Sequence, residues 1–303
     1  MAKVSMTQVK KAWRRTAPRR GYNFGFNLKN LRATKASITD WINGASKNNV
    51  GSRDGLTVAA YFPPLYLAHV NQQAAGIFRG VIGAQEIHWA APGSHTSGVH
   101  AESIAADFGN VRGVLINHSE VIGEHGRTLE QAAGQLRRAL DTSRNSAAFQ
   151  YITLCVGEDR ATYDRGTTAS VRYVKNQVRT MLQLAGVTAE EMSQVGIAYE
   201  PRFAIQVGDK PGIPPSDAHI AKMGWECLRA TAEIVGIKAM AQMFTLQYGG
   251  SMKGPENEGA PVQRFVGPKN LVSLDLYNGG LIGTAGKDPV TAGAILAEIV
   301  PVA

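Results

Sequence analysis

The sequence predicts an α/β fold, a single (β/α)8 barrel over residues 22–303 behind a basic N-terminal extension at 1–21. Three observations carry this. Eight short runs rich in Val, Ile, Leu, Tyr or Phe alternate with helix-type patterns. Five polar or Gly-rich strings each end one of those runs: Asn27-Leu28-Lys29, Asn117-His118-Ser119-Glu120, Tyr199-Glu200-Pro201, Tyr248-Gly249-Gly250-Ser251 and Asn278-Gly279-Gly280-Leu281-Ile282-Gly283. Polar groups at the C-terminal ends of successive buried strands are how an eight-stranded barrel assembles an active site. Finally, no Gly-x-Gly-x-x-Gly follows the first run and no P-loop Lys motif occurs, so dinucleotide and nucleoside-triphosphate sites lose support.

Taken in order, the strand-like runs are Tyr22–Asn27, Leu56–Phe62, Gly80–Gln85, Gly113–Asn117, Tyr151–Val156, Val195–Tyr199, Met243–Tyr248 and Leu274–Ile282. Helices stand between several of them. Thr128–Leu140 places Leu129, Ala132, Ala133, Leu136 and Leu140 three and four apart, one apolar stripe. Thr168–Leu184 repeats the pattern with Val171, Val174, Val178, Met181 and Leu182. Pro215-Ser216-Asp217 opens a third helix with an N-cap residue and carries it to about Val235. Asp288-Pro289 opens the last one, with Pro at the first helical position. Residues 86–104 and 251–273 form long connections, which in barrels serve function or assembly.

The net charge of +8 is local. Lys3, Lys10, Lys11, Arg14, Arg15, Arg19 and Arg20 stand in an acid-free leader and account for all but one of those charges. The leader lacks the apolar core of a secretory signal and is read as a flexible or docked extension. Its removal is expected to leave activity within about twofold. Nucleic acid is not an expected partner, because the body of the chain has no basic excess. No apolar run approaches the ~18–20 residues that span a bilayer, so no membrane partner is expected. Two cysteines, Cys155 and Cys227, give neither a disulfide framework nor zinc spacing, and the expected compartment is cytoplasmic. His88, His95 and His100 share one loop without a Cys, and no metal is expected there.

Glu200 ends a strand immediately before Pro201. A carboxylate at a strand end facing a dry pocket has a raised pKa and serves as a general base. The loop after it has rigid Pro at both ends and Gly inside, the design of a hinged cover. His118 follows Val-Leu-Ile, where a neutral imidazole can donate to a carbonyl, its pKa lowered by a helix N-terminus. Lys29 lies two residues after Asn27, so strand alternation points both side chains to one side. Its ammonium would offset phosphate and developing oxyanion charge. The two Gly-rich ends on the last two strands fit a phosphate site made of backbone N–H groups.

As an ordered set these strings resemble the triosephosphate isomerase family, over about residues 22–300. Asn27-x-Lys29, His118-Ser119-Glu120, Cys155-Val156-Gly157-Glu158, Tyr199-Glu200-Pro201 and Tyr248-Gly249-Gly250-Ser251 carry the resemblance. It implies aldose–ketose isomerisation of a small phosphorylated substrate through an enediolate, with no cofactor. Glu200 would move the proton, while His118 and Lys29 stabilise the enediolate. Substrate-binding positions implied are Asn27, Ser119, Gln206, Gly208, Ser251, Gly283 and Thr284. A homo-oligomer through the loop 86–104 is implied as well.

The sequence also departs from the family pattern. Val121 and Ile122 stand where two Arg normally follow His-Ser-Glu, and the Glu expected near Gly98 is missing too. Phe203 replaces a Trp in the loop after Glu200, and Thr284 follows Gly283. Gln85-x-x-His88-Trp89-Ala90 and Gly212-Ile213-Pro214 resemble relatives that isomerise four-carbon erythrulose phosphates. Triosephosphate is ranked first and erythrulose phosphate second. A catalytically weakened homologue acting as a binding protein is the alternative of another class.

Overall fold

A computed structural model describes residues 4–31, 34–94, 98–205, 212–213, 215–250 and 276–299. Eight parallel strands close in sequence order: β1 (Tyr22–Asn27), β2 (Leu56–Phe62), β3 (Val81–Ala84), β4 (Val111–Ile116), β5 (Tyr151–Val156), β6 (Val195–Tyr199), β7 (Thr245–Tyr248) and β8 (Gly279–Ile282). The last strand returns to the first, Asn23 opposite Gly279 and Phe26 opposite Ile282. Around them lie α1 (Met6–Arg20), α2 (Lys35–Lys47), α3 (Leu67–Gln73), α4 (Ala101–Asp107), α5 (Ser119–His125) and α6 (Leu129–Arg144). The ring continues with α7 (Arg160–Asp164), α8 (Thr167–Leu184), α9 (Asp217–Val235), α10 (Ile237–Met240) and α11 (Pro289–Ile299). The predicted helix starts are set by the expected residues. Thr128 and Gln131 form a reciprocal capping box on α6, and the Ser216 hydroxyl accepts the His219 N–H on α9.

The barrel has a filled centre. Tyr61 on β2 points inward and meets Thr153 Oγ1 at 3.3 Å. A Cβ at Gly25, Gly83 or Gly113 would strike its ring at 2.9, 2.4 and 3.3 Å. Glycines on β1, β3 and β4 thus make room for one aromatic side chain, with Ala59, Leu115, Cys155, Ala198 and Leu281 around it. Outside the strands, the main core lies between sheet and helices, where buried residues of both meet.

The N-terminal segment is a helix seated on the barrel. Ser5 and Gln8 close a capping box, and Val9 and Trp13, four residues apart, are fully buried. Trp13 Nε1 donates to the Leu276 carbonyl at 2.9 Å, and Thr16 Oγ1 donates to the Ala241 carbonyl at 3.1 Å. Those carbonyls precede β8 and β7, so α1 covers the N-terminal ends of both strands beside α9 and α10. Lys10 and Arg14 lie over the Trp225 ring at 5.2 and 5.7 Å.

Two expectations change in detail. Gly279 and Gly280 belong to β8 itself, where a Cβ on Gly279 would fall 1.6 Å from the Asn23 carbonyl oxygen. Close approach of two strands, not a phosphate turn, accounts for that glycine; the turn begins at Gly283. Lys29 does not share its side with Asn27 by strand alternation, because β1 ends at Asn27 and Lys29 turns left-handed at φ 49°.

Candidate active site

The C-terminal ends of β1, β4 and β6 converge on one cluster. Asn117, at φ 62°, turns left-handed after β4 and delivers His118 as the N-cap of α5. Asn tolerates that conformation, and its amide is fixed by donating to the Cys155 carbonyl at 2.9 Å. Lys29 is not a residue type that favours φ above zero, so its turn is a strained conformation of the kind found at functional sites. Its N–H donates to Asn27 Oδ1 at 3.1 Å, which orients the Asn27 amide.

His118 and Glu200 are 5% and 4% exposed and in direct contact. His118 Nε2 stands 2.9 Å from Glu200 Oε1, and the Ser119 N–H donates to Glu200 Oε2 at 3.3 Å. On the other side of the ring, Nδ1 accepts the Glu120 N–H at 3.3 Å. That backbone donor leaves Nδ1 without a proton and assigns the ring hydrogen to Nε2. Asn27 Nδ2 lies 3.1 Å from the same Nε2. Ser119 therefore serves through its backbone N–H.

The electrostatics differ from expectation at one point. Burial pulls the His118 pKa down, but the Glu200 carboxylate against Nε2 pushes it up further, and Glu120 adds to the rise. The net direction is up, so the expected lowering is outweighed while Glu200 faces the ring. Lys29 Nζ pairs with Glu120 Oε1 at 2.5 Å, and its side chain is 15% exposed. The Lys29 stem passes Gly283, whose added Cβ would meet Lys29 Cε at 3.2 Å, so the β8 turn abuts the Lys29 side chain. Thr284 opens the short 3-10 turn that follows. Gln206, Gly208 and Ser251 lie outside the described residues, as does His95. Among the described residues no group of His, Cys, Asp and Glu is arranged to hold a metal ion.

A cavity of about 680 Å³ opens beside the cluster and runs from Asn27, Lys29 and His118 to Gln85, His88 and Trp89. Gln85 Nε2 donates to the Lys29 and Tyr61 carbonyls at 3.3 and 3.1 Å, bracing the Lys29 backbone. An ion pair that sequence reasoning missed stands here too. Arg127 pairs with Glu86 and lies 4.6 Å over the Trp89 ring, at positions other than those of Val121, Ile122 and Gly98. Forty-one positions and three elements separate its members, and nothing local in either stretch signals the contact.

Glu158, the last residue of the Cys-x-Gly-Glu string, is fully buried just behind the cluster. It accepts Tyr199 Oη at 3.1 and 3.2 Å and faces His219 Nε2 at 2.7 Å. Beside it, Gly157 is obligatory, since a Cβ there would sit 2.0 Å from the Glu200 carbonyl oxygen.

The cluster holds a carboxylate, an imidazole N–H, an ammonium and an amide around one opening. A carboxylate of this kind can take a proton from carbon beside a carbonyl, while the other three bear on the oxygen that gains charge. Comparison with known proteins agrees with this geometry. The triosephosphate isomerase family model matches residues 24–298. The triosephosphate isomerase of Streptococcus mutans is 30% identical over 255 residues, 84% of this chain and 89% of that protein. Those of Caulobacter vibrioides and Cupriavidus necator are 32% and 33% identical, covering 75% and 76% of this chain and 77% and 81% of their own lengths. A family match across almost the whole barrel joins a closed eight-stranded fold: the chain belongs to the triosephosphate isomerase family.

Proposed function

We propose that this chain is an aldose–ketose isomerase that interconverts dihydroxyacetone phosphate and glyceraldehyde 3-phosphate through an enediolate, with no cofactor. The single observation that carries the reading is the convergence of Glu200, His118, Lys29 and Asn27 from three strand ends. Glu200 takes a proton from the carbon beside the carbonyl, and the electron pair moves onto the carbonyl oxygen. His118 Nε2–H and the Lys29 ammonium meet that oxygen, and Asn27 Nδ2 borders the same place. The hydroxyl proton on the neighbouring oxygen then passes to the oxygen that gained charge, with His118 Nε2 beside both to carry it, and return of the carbon-bound proton to the adjacent carbon completes the isomerisation with no net gain or loss. In the ligand-free arrangement both Glu200 oxygens are occupied by His118 and Ser119, so the base must turn from them to the substrate. The backbone N–H groups of the turn at Gly283 and Thr284 supply part of a phosphate site next to Lys29.

A second reading, isomerisation of an erythrulose phosphate, has one observation in its favour. The cavity continues past Asn27 and His118 to Gln85 and His88, space beyond what a three-carbon chain fills. Side-by-side measurement of kcat/KM on the two substrates in one preparation tests both. Triosephosphate is expected to lead; a tenfold advantage for erythrulose phosphate, about 1.4 kcal/mol of transition-state preference, reverses the order. Turnover of neither, with retained binding of a phosphorylated analogue, would support a weakened homologue that binds without catalysing.

A further inference from the structure

The loop after Glu200 has its two ends tied together behind the site. At its start the Arg202 N–H donates to the Glu158 carbonyl at 3.0 Å, and Phe203 packs on Tyr163 with ring centroids 4.3 Å apart. At its far end the Ile213 N–H reaches back to the Phe203 carbonyl at 3.1 Å. His219 stands in the first turn of α9, the helix that the loop leads into, and Tyr163 meets its ring edge-on at 4.9 Å. The His219 imidazole, 7% exposed, is aimed at the fully buried Glu158 carboxylate. A carboxylate accepts, so the hydrogen between them sits on His219 Nε2. Among the described residues the other side-chain donor to Glu158 is Tyr199, the residue immediately before Glu200.

A buried carboxylate deprived of a charge-type donor is strongly destabilised and moves to find another. Here such movement would pass to Tyr199 and thence to the Glu200 backbone, which is held by the Val156 carbonyl at 2.7 Å. Phe203 has no hydrogen-bonding group with which to replace the imidazole. We propose that His219 is a positioning residue for the isomerisation: through Glu158 and Tyr199 it fixes the direction in which Glu200 leaves β6, joining the far end of the loop to the base. His219 is not among the residues that line the opening beside Asn27, Lys29 and His118. The inference rests on the isomerase reading above.

Two amides of equal polarity but different reach test it. The Gln side chain carries its amide nitrogen to about where imidazole Nε2 lies, whereas the Asn amide stops short of Glu158. His219→Asn is expected to lose about tenfold in kcat on dihydroxyacetone phosphate with KM within about threefold, the pattern of a contact that matters after binding. His219→Gln is expected to stay within about threefold of the native kcat. A native kcat in the Asn variant overturns the inference. So do equal losses in both variants, a loss confined to KM, or a kcat loss that simply follows a lowered melting temperature. Hydrogen exchange read without substrate separates this from the activity itself: the Glu200 and Arg202 amides should exchange faster in the Asn variant than in the Gln variant. If the native protein turns over no phosphosugar, the isomerase reading fails; equal exchange in the two variants overturns the positioning role.

Discussion

Glu200 is held at three points, by Val156 through its backbone and by His118 and Ser119 through its two oxygens. Its exchange for Gln keeps the shape and removes the proposed base. We expect Glu200→Gln to lower kcat at least about a hundredfold with substrate binding nearly intact, as steady-state kinetics will show. The same variant bears on His118. Burial lowers the imidazole pKa and the Glu200 carboxylate raises it to a net increase, so removing the carboxylate leaves burial as the main influence. The His118 pKa, followed by NMR titration, should therefore fall in Glu200→Gln. In the native protein the raised value gives stability that is full below the ordinary His pKa of about 6.5 and is lost as pH rises through the raised one. Thermal unfolding against pH should show that decline, and it should flatten in the variant. That Glu200, His118 and Lys29 lie together at one end of the barrel is legible in the sequence, because each follows an apolar run. The sequence did not disclose the Lys29 turn, since a positive φ at Lys has no compositional signature. The direction of the His118 shift was hidden as well, because it depends on where Glu200 points.

Seven of the eight strands lie where the apolar runs placed them to within about two residues; β8, predicted from Leu274, begins only at Gly279. The helices α6, α8, α9 and α11 begin at their predicted caps to within a residue. The element that composition concealed is α1. Dense Lys and Arg made residues 1–21 read as an extension, while the two residues that dock it, Val9 and Trp13, make only one i, i+4 pair. Trp13→Ala would delete a fully buried ring and a hydrogen bond to Leu276, and losses of about 3–5 kcal/mol are usual for such a change. Chemical denaturation should show a loss of that size. Removal of residues 1–20 is correspondingly expected to destabilise the β7–β8 side of the barrel and to lower kcat/KM by more than twofold, contrary to the expectation from sequence. A truncated protein with the native melting temperature and activity would refute this. A second element-level contact is the Glu191 carboxylate, held between Arg137 and Arg144 at 2.6 and 2.7 Å. Burial raises its pKa, but the Arg137 hydrogen bond and both positive charges lower it to a net decrease. Its stabilising effect is thus present above the ordinary Glu pKa and is lost as pH falls through the depressed value.

At the scale of the whole molecule, the cavity beside the catalytic cluster has an apolar mouth. Leu65 is 80% exposed and Trp89 36% exposed, and both line the same space as Asn27 and His118. Large side chains left at the rim of a polar active site are the material from which protein interfaces are built. The loop 86–104, which carries Trp89, is the docking element of the homo-oligomer that the family resemblance implies, and Arg127 pairs with Glu86 at its start. The homo-oligomer that the resemblance implies would seat a second copy on this mouth, and it is expected to link assembly to turnover. Leu65→Asp together with Trp89→Glu places two carboxylates where two apolar groups would have to be desolvated, and a buried unpaired charge is far more costly than a lost contact. Sedimentation velocity at micromolar concentration is expected to show an oligomer for the native chain and a monomer for the double variant. The variant's kcat/KM should fall at least about tenfold, because Asn27 and His118 would then face bulk water. A native protein that sediments as a monomer at full activity refutes the linkage. A monomeric variant with undiminished kcat/KM would mean that each barrel completes its own site, leaving the mouth as the place where a longer substrate is accommodated.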